Sequence, residues 1–206
     1  MQIKFTHAGK RFNRDWIFRG LNFSFHTGKS YVILGGNGSG KSTLLKAALG
    51  YAPLSEGTIE FARDGKEIKQ ENAYKHFSFC SPYMELYEEL SLKELVRFHS
   101  DLKPFKRNIS SAEFISAIDL EKATNKPVKY FSSGMKQRLR IGLAVLSDTA
   151  CILLDEPVSN LDSKGVKWYQ NLMEAERTNR TVLVASNHTE SEYFFCEEKL
   201  NIESFK

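Results

Sequence analysis

The stretch Tyr31-Val32-Ile33-Leu34-Gly35-Gly36-Asn37-Gly38-Ser39-Gly40-Lys41-Ser42-Thr43 decides how the rest of the chain is read. Its second part fits the pattern G-x-x-x-x-G-K-[ST], and the apolar run before it has the character of a buried strand. Gly35, Gly36, Gly38 and Gly40 let the backbone turn successive N–H groups inward, so main-chain donors can wrap a polyphosphate. A helix is expected from Lys41 to Leu49, and its N-terminus adds about half a positive charge facing the same anion. In this arrangement Lys41 reaches the terminal phosphates, and the Ser42 hydroxyl completes the shell of a Mg²⁺ ion.

Upstream of this loop the pattern alternates, with Ile3, Phe5, Leu21, Phe23 and Phe25 on one face and turn formers at Gly9 and Gly28. That spacing predicts a small antiparallel layer. Downstream, Thr58 to Phe61 predicts another short strand, and Asp64-Gly65 is a hairpin signal. From Ser91 to Ser147 the apolar residues change to helical spacing, as in Leu92, Leu95, Val96 and Phe98. The unbroken apolar runs Cys151 to Leu154 and Thr181 to Ala185 then fit strands of a parallel sheet covered on both faces, with a helix from Lys164 to Thr178 between them.

At 206 residues the chain is expected to form one domain, 1–206, with a mostly helical subdomain at about 83–146. Hydrophobic content of 41% and charged content of 26% are ordinary for a globular protein. The net charge of +4 is modest, and the basic runs Lys103 to Arg107 and Lys126 to Arg140 lack interleaved aromatic residues, so no nucleic-acid partner is expected. Cys80, Cys151 and Cys196 are widely spaced and odd in number, which argues against a disulfide framework or a zinc site. Neither a secretory leader in Met1 to Arg11 nor a run of ~18 apolar residues is expected from the sequence, so a cytoplasmic location fits and any membrane link would run through a partner.

Leu154-Asp155-Glu156-Pro157 closes one buried run with adjacent carboxylates at a strand's carboxyl end, where open α/β sheets bind ligands. Asp155 there would hold Mg²⁺, directly or through water, and Glu156 would polarise the water that attacks the γ-phosphate. Between the two sites lies Phe131-Ser132-Ser133-Gly134-Met135-Lys136-Gln137-Arg138, a second Ser/Gly-rich helix opening and hence a second candidate anion site.

With these motifs in this order the chain resembles the ATP-binding cassette (ABC) ATPases over nearly its whole length, and specifically their single-cassette transporter ATP-binding subunits. The resemblance implies an α/β P-loop NTPase core with a mostly parallel sheet, an antiparallel β layer and an inserted helical subdomain. It also implies ATP as substrate with Mg²⁺, a second copy or related cassette bound head to tail, and integral membrane subunits that place the chain peripherally on the inner face of the membrane. Phe131 to Arg138 is similar to the family's L-S-G-G-Q signature, which assigns Ser132, Ser133, Gly134 and Met135 to the partner cassette's ATP. Ser159-Asn160-Leu161-Asp162 looks like the S-A-L-D loop, with Ser159 and Asp162 at the dimer contact. Phe12 resembles the aromatic that stacks on adenine, although Trp16 could take that role.

The departures are as informative. Where the family has a glutamine that senses the γ-phosphate, the matching stretch is Phe79-Cys80-Ser81-Pro82-Tyr83, and neither Ser81 nor Pro82 is expected to match its reach. Met135 stands where the signature has an amide. Ser186-Asn187-His188 stands where Ser-His-Asp is usual, and an ungapped count from Thr181 favours Asn187 over His188 at the histidine position. Tyr83, Met84, Leu86 and Tyr87 fall where the family receives a membrane subunit's cytoplasmic helix. The rival readings are a soluble ATPase of the same superfamily and a weakly hydrolytic module that uses ATP as a dimerisation switch.

Overall fold

A computed structural model describes residues 1–206. In chain order its elements are β1 (Gln2–Phe12), β2 (Asp15–Phe25), β3 (Ser30–Leu34), α1 (Lys41–Ala48), β4 (Glu56–Arg63), β5 (Lys66–Ile68), α2 (Gln70–Ala73), β6 (Phe77–Cys80), α3 (Leu92–Leu102), α4 (Ser111–Ala117), α5 (Ser133–Val145), β7 (Cys151–Asp155), α6 (Ser163–Glu176), β8 (Thr181–Ser186), α7 (Glu190–Tyr193) and β9 (Glu198–Asn201). They build an antiparallel sheet of order β2-β1-β4-β5 and a five-stranded sheet of order β6-β7-β8-β3-β9 whose strand pairs are all parallel.

Two of these strands escaped the sequence reading. β6 has four residues and β9 places charged Glu198 and Lys199 beside Leu200, so neither shows a run long enough to declare itself. The turn at Asp64-Gly65 does join antiparallel strands; φ is 52° at Asp64 and 75° at Gly65, the positive pair that a tight hairpin needs.

The parallel sheet explains the unbroken apolar runs. Ile33, Leu153, Leu183 and Ala185 face α1 and the antiparallel layer, where they pack with Ile3, Phe5, Leu21, Phe25 and Leu44. Their neighbours Val32, Ile152, Leu154, Val182 and Val184 face the other way, onto Ile141 and Val145 of α5 and Tyr169 and Met173 of α6. Because successive side chains of a strand point to opposite faces, a strand covered on both sides must be apolar at every position. Each such side chain, fully buried, contributes on the order of 1.5–3 kcal/mol from burial.

A separate apolar cluster unites α3, α4 and one face of α5 through Leu92, Val96, Phe114, Ile118, Val128, Leu139 and Leu143. Ser91 and Ser110 open α3 and α4 with reciprocal capping boxes to Glu94 and Glu113. Helix α5 spans both regions, since its C-terminal residues Ile141, Ala144 and Val145 lie on the parallel sheet. The regular helices of this region begin at Leu92, and residues 83–90 before them are turns and irregular chain. The basic runs are largely paired: Lys129 with Glu89, Lys136 with Glu88, Arg138 with Asp119, and Lys106 and Arg107 with the buried Glu176. No helix is long and apolar enough to cross a membrane.

Candidate functional site

β3, β7 and β8 are adjacent parallel strands, so the loops after them open at one edge of the sheet. The loop after β3 bends through Gly38 at φ 74° and Gly40 at φ 108°, and a Cβ on Gly40 would stand 2.4 Å from Ile17 Cγ2 of β2. Only glycine combines that backbone with that proximity. The Lys41 ammonium lies across the loop, donating to the Gly35 carbonyl at 3.0 Å and the Gly36 carbonyl at 2.9 Å, with Glu156 Oε1 at 3.9 Å.

Ile17, Gly38, Gly40, Lys41 and Glu156 line a cleft of about 360 Å³ together with Asn37, Ser39, Ser42, Thr43, Pro82, Tyr83 and Asp155. Asp155 is buried and its Oδ1 has no hydrogen-bond partner, whereas Ser81 Oγ donates to Oδ2 at 3.5 Å. Burial holds the Asp155 carboxyl above the usual range, and a hydrogen bond from Ser42 opposes that shift. An unpartnered carboxylate oxygen beside a serine hydroxyl is a hard oxygen donor set. It suits Mg²⁺, which takes one or two protein ligands and completes its octahedron with waters and phosphates. No cluster of three or more His, Cys, Asp or Glu side chains offers a competing site for a softer metal.

Glu156 follows Asp155 with φ 45°, a left-handed conformation that an L-residue adopts only under constraint. Its N–H donates to the Ala185 carbonyl at 3.0 Å, and its partly exposed carboxylate reaches the cleft. After β8, Asn187 Nδ2 donates to Asn37 Oδ1 at 3.0 Å, while His188 is exposed with φ 58°.

The signature-like residues stand apart from this cleft. Ser132 caps α5, its hydroxyl accepting from the Met135 N–H at 3.2 Å, and Ser133 is exposed. A Cβ on Gly134 would come within 3.2 Å of the Asn160 carbonyl, so the helix opening and the loop before α6 lie against each other. Ser159 Oγ is buried without a partner, and Asp162 caps α6 by accepting from the Gly165 N–H at 2.8 Å. Phe12 is exposed at the β1–β2 turn, and Trp16 is flanked by the guanidinium groups of Arg11 and Arg19. Neither lines the cleft.

One residue that the sequence reading set aside and three that it gave no role bear on the site. Ser81, in the stretch without a glutamine, touches Asp155 directly. Gln137 is buried in α5 and donates to the Pro157 carbonyl at 2.8 Å. Glu203, beyond β9, accepts from the Gly36 N–H at 3.2 Å. Glu192 is buried between the loops that follow β7 and β8. For Gln137, Glu203 and Glu192 the only sequence signal was polarity next to an apolar strand or helix, which surface residues share.

A further surface adjoins the cleft. A mostly apolar groove of about 1000 Å³ runs past Tyr83, Met84, Leu86, Tyr87, Phe98 and Leu102, with Tyr83 90% exposed.

Comparison with known proteins agrees with this architecture. The family model described as ABC transporter matches residues 18–159. An ABC transporter ATP-binding protein of Bacillus subtilis, YybJ, is 28% identical over 97% of this chain and 92% of its own length. The lantibiotic transport ATP-binding protein SrtF of Streptococcus pyogenes is 27% identical over 92% of this chain and 81% of its own. The fold matches that of the ATP-binding cassette MJ0796, solved as a dimer with ADP and phosphate, at a TM-score of 0.81 and 22% identity over 98% of this chain and 95% of that one.

Proposed function

We propose that this chain, which belongs to the ABC transporter family, is the ATP-hydrolysing subunit of a transporter, acting as a head-to-tail dimer on separate membrane subunits. The observation that carries the reading is the convergence of Lys41, Ser42, Asp155 and Glu156 in one cleft while Ser133 and Gly134 are not among the residues that line it. A second copy would supply its own Ser132 to Met135 to the open side, where the α5 N-terminus offers unpaired N–H groups to the γ-phosphate.

In this reading the loop N–H groups and Lys41 bind the β- and γ-phosphates. Lys41 then exchanges its two carbonyl partners for phosphate oxygens, a stronger charge-assisted bond. Ser42 and Asp155 would hold Mg²⁺, which when bound neutralises phosphate charge. Glu156 orients and polarises water, and Asn187 donates an amide hydrogen bond at the γ-phosphate. Phe12 is the better candidate to stack on adenine, because it is 53% exposed with one cation, Lys10, over its ring, whereas the guanidinium groups of both Arg11 and Arg19 lie against Trp16. The apolar groove beside Tyr83 would receive an amphipathic helix of the membrane subunit.

A second reading, ATP as a dimerisation switch with weak hydrolysis, is favoured by one observation: Ser81 and Pro82 occupy the stretch where the family has glutamine. Purified wild-type protein and Glu156→Gln, assayed for phosphate release and for ATP-dependent dimerisation, separate the two. Hydrolysis by the wild type, lost in Glu156→Gln while the ATP-bound dimer accumulates, supports the transport ATPase; dimerisation without turnover in both supports the switch. A wild type that does not bind ATP sinks both.

A further inference from the structure

We propose that Glu192 is a positioning residue for hydrolysis, a clamp whose carboxyl group ties the end of β8, from which Asn187 projects, to the loop that carries Glu156. The inference rests on the ATPase reading above and adds to it a residue outside the cleft.

The geometry is a three-way junction. One carboxyl oxygen of Glu192 accepts from Ser186 Oγ at 2.5 Å, and the other accepts from the Val158 N–H at 3.4 Å. The residue itself is fixed from a third side, since Tyr169 of α6 donates its hydroxyl to the Glu192 carbonyl at 2.7 Å and the Glu192 N–H donates to the Thr189 carbonyl at 2.9 Å. Ser186 immediately precedes Asn187, and Val158 stands two residues after Glu156.

Both segments that it joins are strained. Glu156 at φ 45° and His188 at φ 58° each lie two residues from one of the clamp's partners, in a region that favours glycine. Such conformations persist only where the surroundings over-determine them. At Glu156 the holding contacts are its N–H to the Ala185 carbonyl, the Ser159 N–H back to its own carbonyl at 3.1 Å, the Gln137 amide on Pro157, and Glu192 on Val158. Glu192 is the one side chain among these that also holds the β8 end. Without it, the two loops stay joined through the backbone bond from the Glu156 N–H to the Ala185 carbonyl alone, and the distance between Glu156 and Asn187 is less tightly set.

The pocket also suits a hydrogen-bonding group rather than a charge. Burial raises the Glu192 carboxyl to about 7, with Asp155 and Glu156 adding to the rise and the bonds from Ser186 and Val158 opposing it. An uncharged isostere keeps the junction with one bond reversed: the amide oxygen of a glutamine would accept from the Val158 N–H while its NH₂ donates to Ser186 Oγ.

The test is steady-state ATPase kinetics of wild type, Glu192→Ala, Glu192→Gln and Ser186→Ala, together with binding of a fluorescent ATP analogue. Misplaced reacting groups lower turnover more than affinity, so Glu192→Ala should lose roughly ten- to a hundredfold in kcat with KM and analogue binding within about twofold of wild type. Glu192→Gln should restore most of the loss, and Ser186→Ala, which removes one arm only, should fall between. If Glu192→Ala does not fold, the Gln and Ser186 variants carry the same comparison. Unchanged kcat in Glu192→Ala, a Gln variant as poor as the Ala variant, or kcat and binding lost together would each overturn the clamp. A wild type without hydrolysis would instead overturn the ATPase reading itself.

Discussion

The side-chain amide of Asn187 donates to the side-chain carbonyl of Asn37 at 3.0 Å, joining the loop after β8 to the phosphate loop. Asn37 is the middle residue of Gly36-Asn37-Gly38, so this contact aims Asn187 at the mouth of the cleft. His188, exposed like Asn187, makes no such contact and sits on a left-handed backbone. Asn187→Ala should therefore lower kcat by roughly 10²-fold, the weight of one lost donor to a developing charge, and His188→Ala should stay within twofold. Kinetics of the two purified variants decide it. The reverse pattern would mean that nucleotide binding rotates the loop and brings the histidine in.

Lys41→Ala should abolish turnover and weaken ATP binding, measurable by calorimetry. The lysine side chain is buried and already donates to two loop carbonyls, so its loss removes a cation from the phosphates and leaves Gly35 and Gly36 without that donor. Lys41→Arg should not rescue, because the larger planar guanidinium does not fit where a compact ammonium sits between the loop and Glu156. A Lys41→Ala protein that turned over ATP normally would remove the assignment of this loop.

Tyr83 and Tyr87 test the groove. Both are exposed, at 90% and 64%, so neither ring is packed inside the helical region. Tyr83 also lines the phosphate cleft, so one side chain borders both cavities. Tyr83→Glu and Tyr87→Glu should alter stability by no more than about 0.5 kcal/mol, as expected for surface positions. They should also prevent co-purification with a membrane subunit. A large drop in melting temperature would show that these rings support the fold.

Much of this architecture was legible because the decisive residues are also local punctuation. Gly35 to Thr43 announces a turn and a helix N-terminus in nine residues, and the double-sided burial of Ile152 to Leu154 leaves no polar position to confuse the period. β6 and β9 were not legible, since four residues cannot establish a period against their flanks. The contacts of Gln137 with Pro157, Glu203 with Gly36 and Glu192 with Val158 span 20, 167 and 34 residues. A polar residue that makes such a contact looks in sequence like one that faces water. Only the tertiary fold shows that its hydrogen bonds are spent inside.

Glu192 supplies the last prediction, on stability against pH. Its carboxyl is raised from 4.5 to about 7 in the folded protein, chiefly by burial. Below pH 4.5 the acid is neutral in both folded and unfolded chains, and the stabilising contribution of the neutral form is complete. Between pH 4.5 and 7 the unfolded chain ionises while the folded one does not, so that contribution is lost as pH rises, and above pH 7 the loss is constant. Glu192→Gln keeps an uncharged group in the same space and removes this dependence. Its stability should match wild type near pH 4.5 and exceed it increasingly up to pH 7 to 8, by about 3 kcal/mol at the plateau, with the melting temperature rising in parallel. Groups not coupled to Glu192 titrate alike in both proteins and cancel in the difference, and Asp155 and Glu156 add only a smaller contribution of their own. Parallel thermal melts of the two proteins from pH 4.5 to 8 measure it, and a difference that stayed flat across that range would show that the Glu192 carboxyl is ionised in the folded protein throughout.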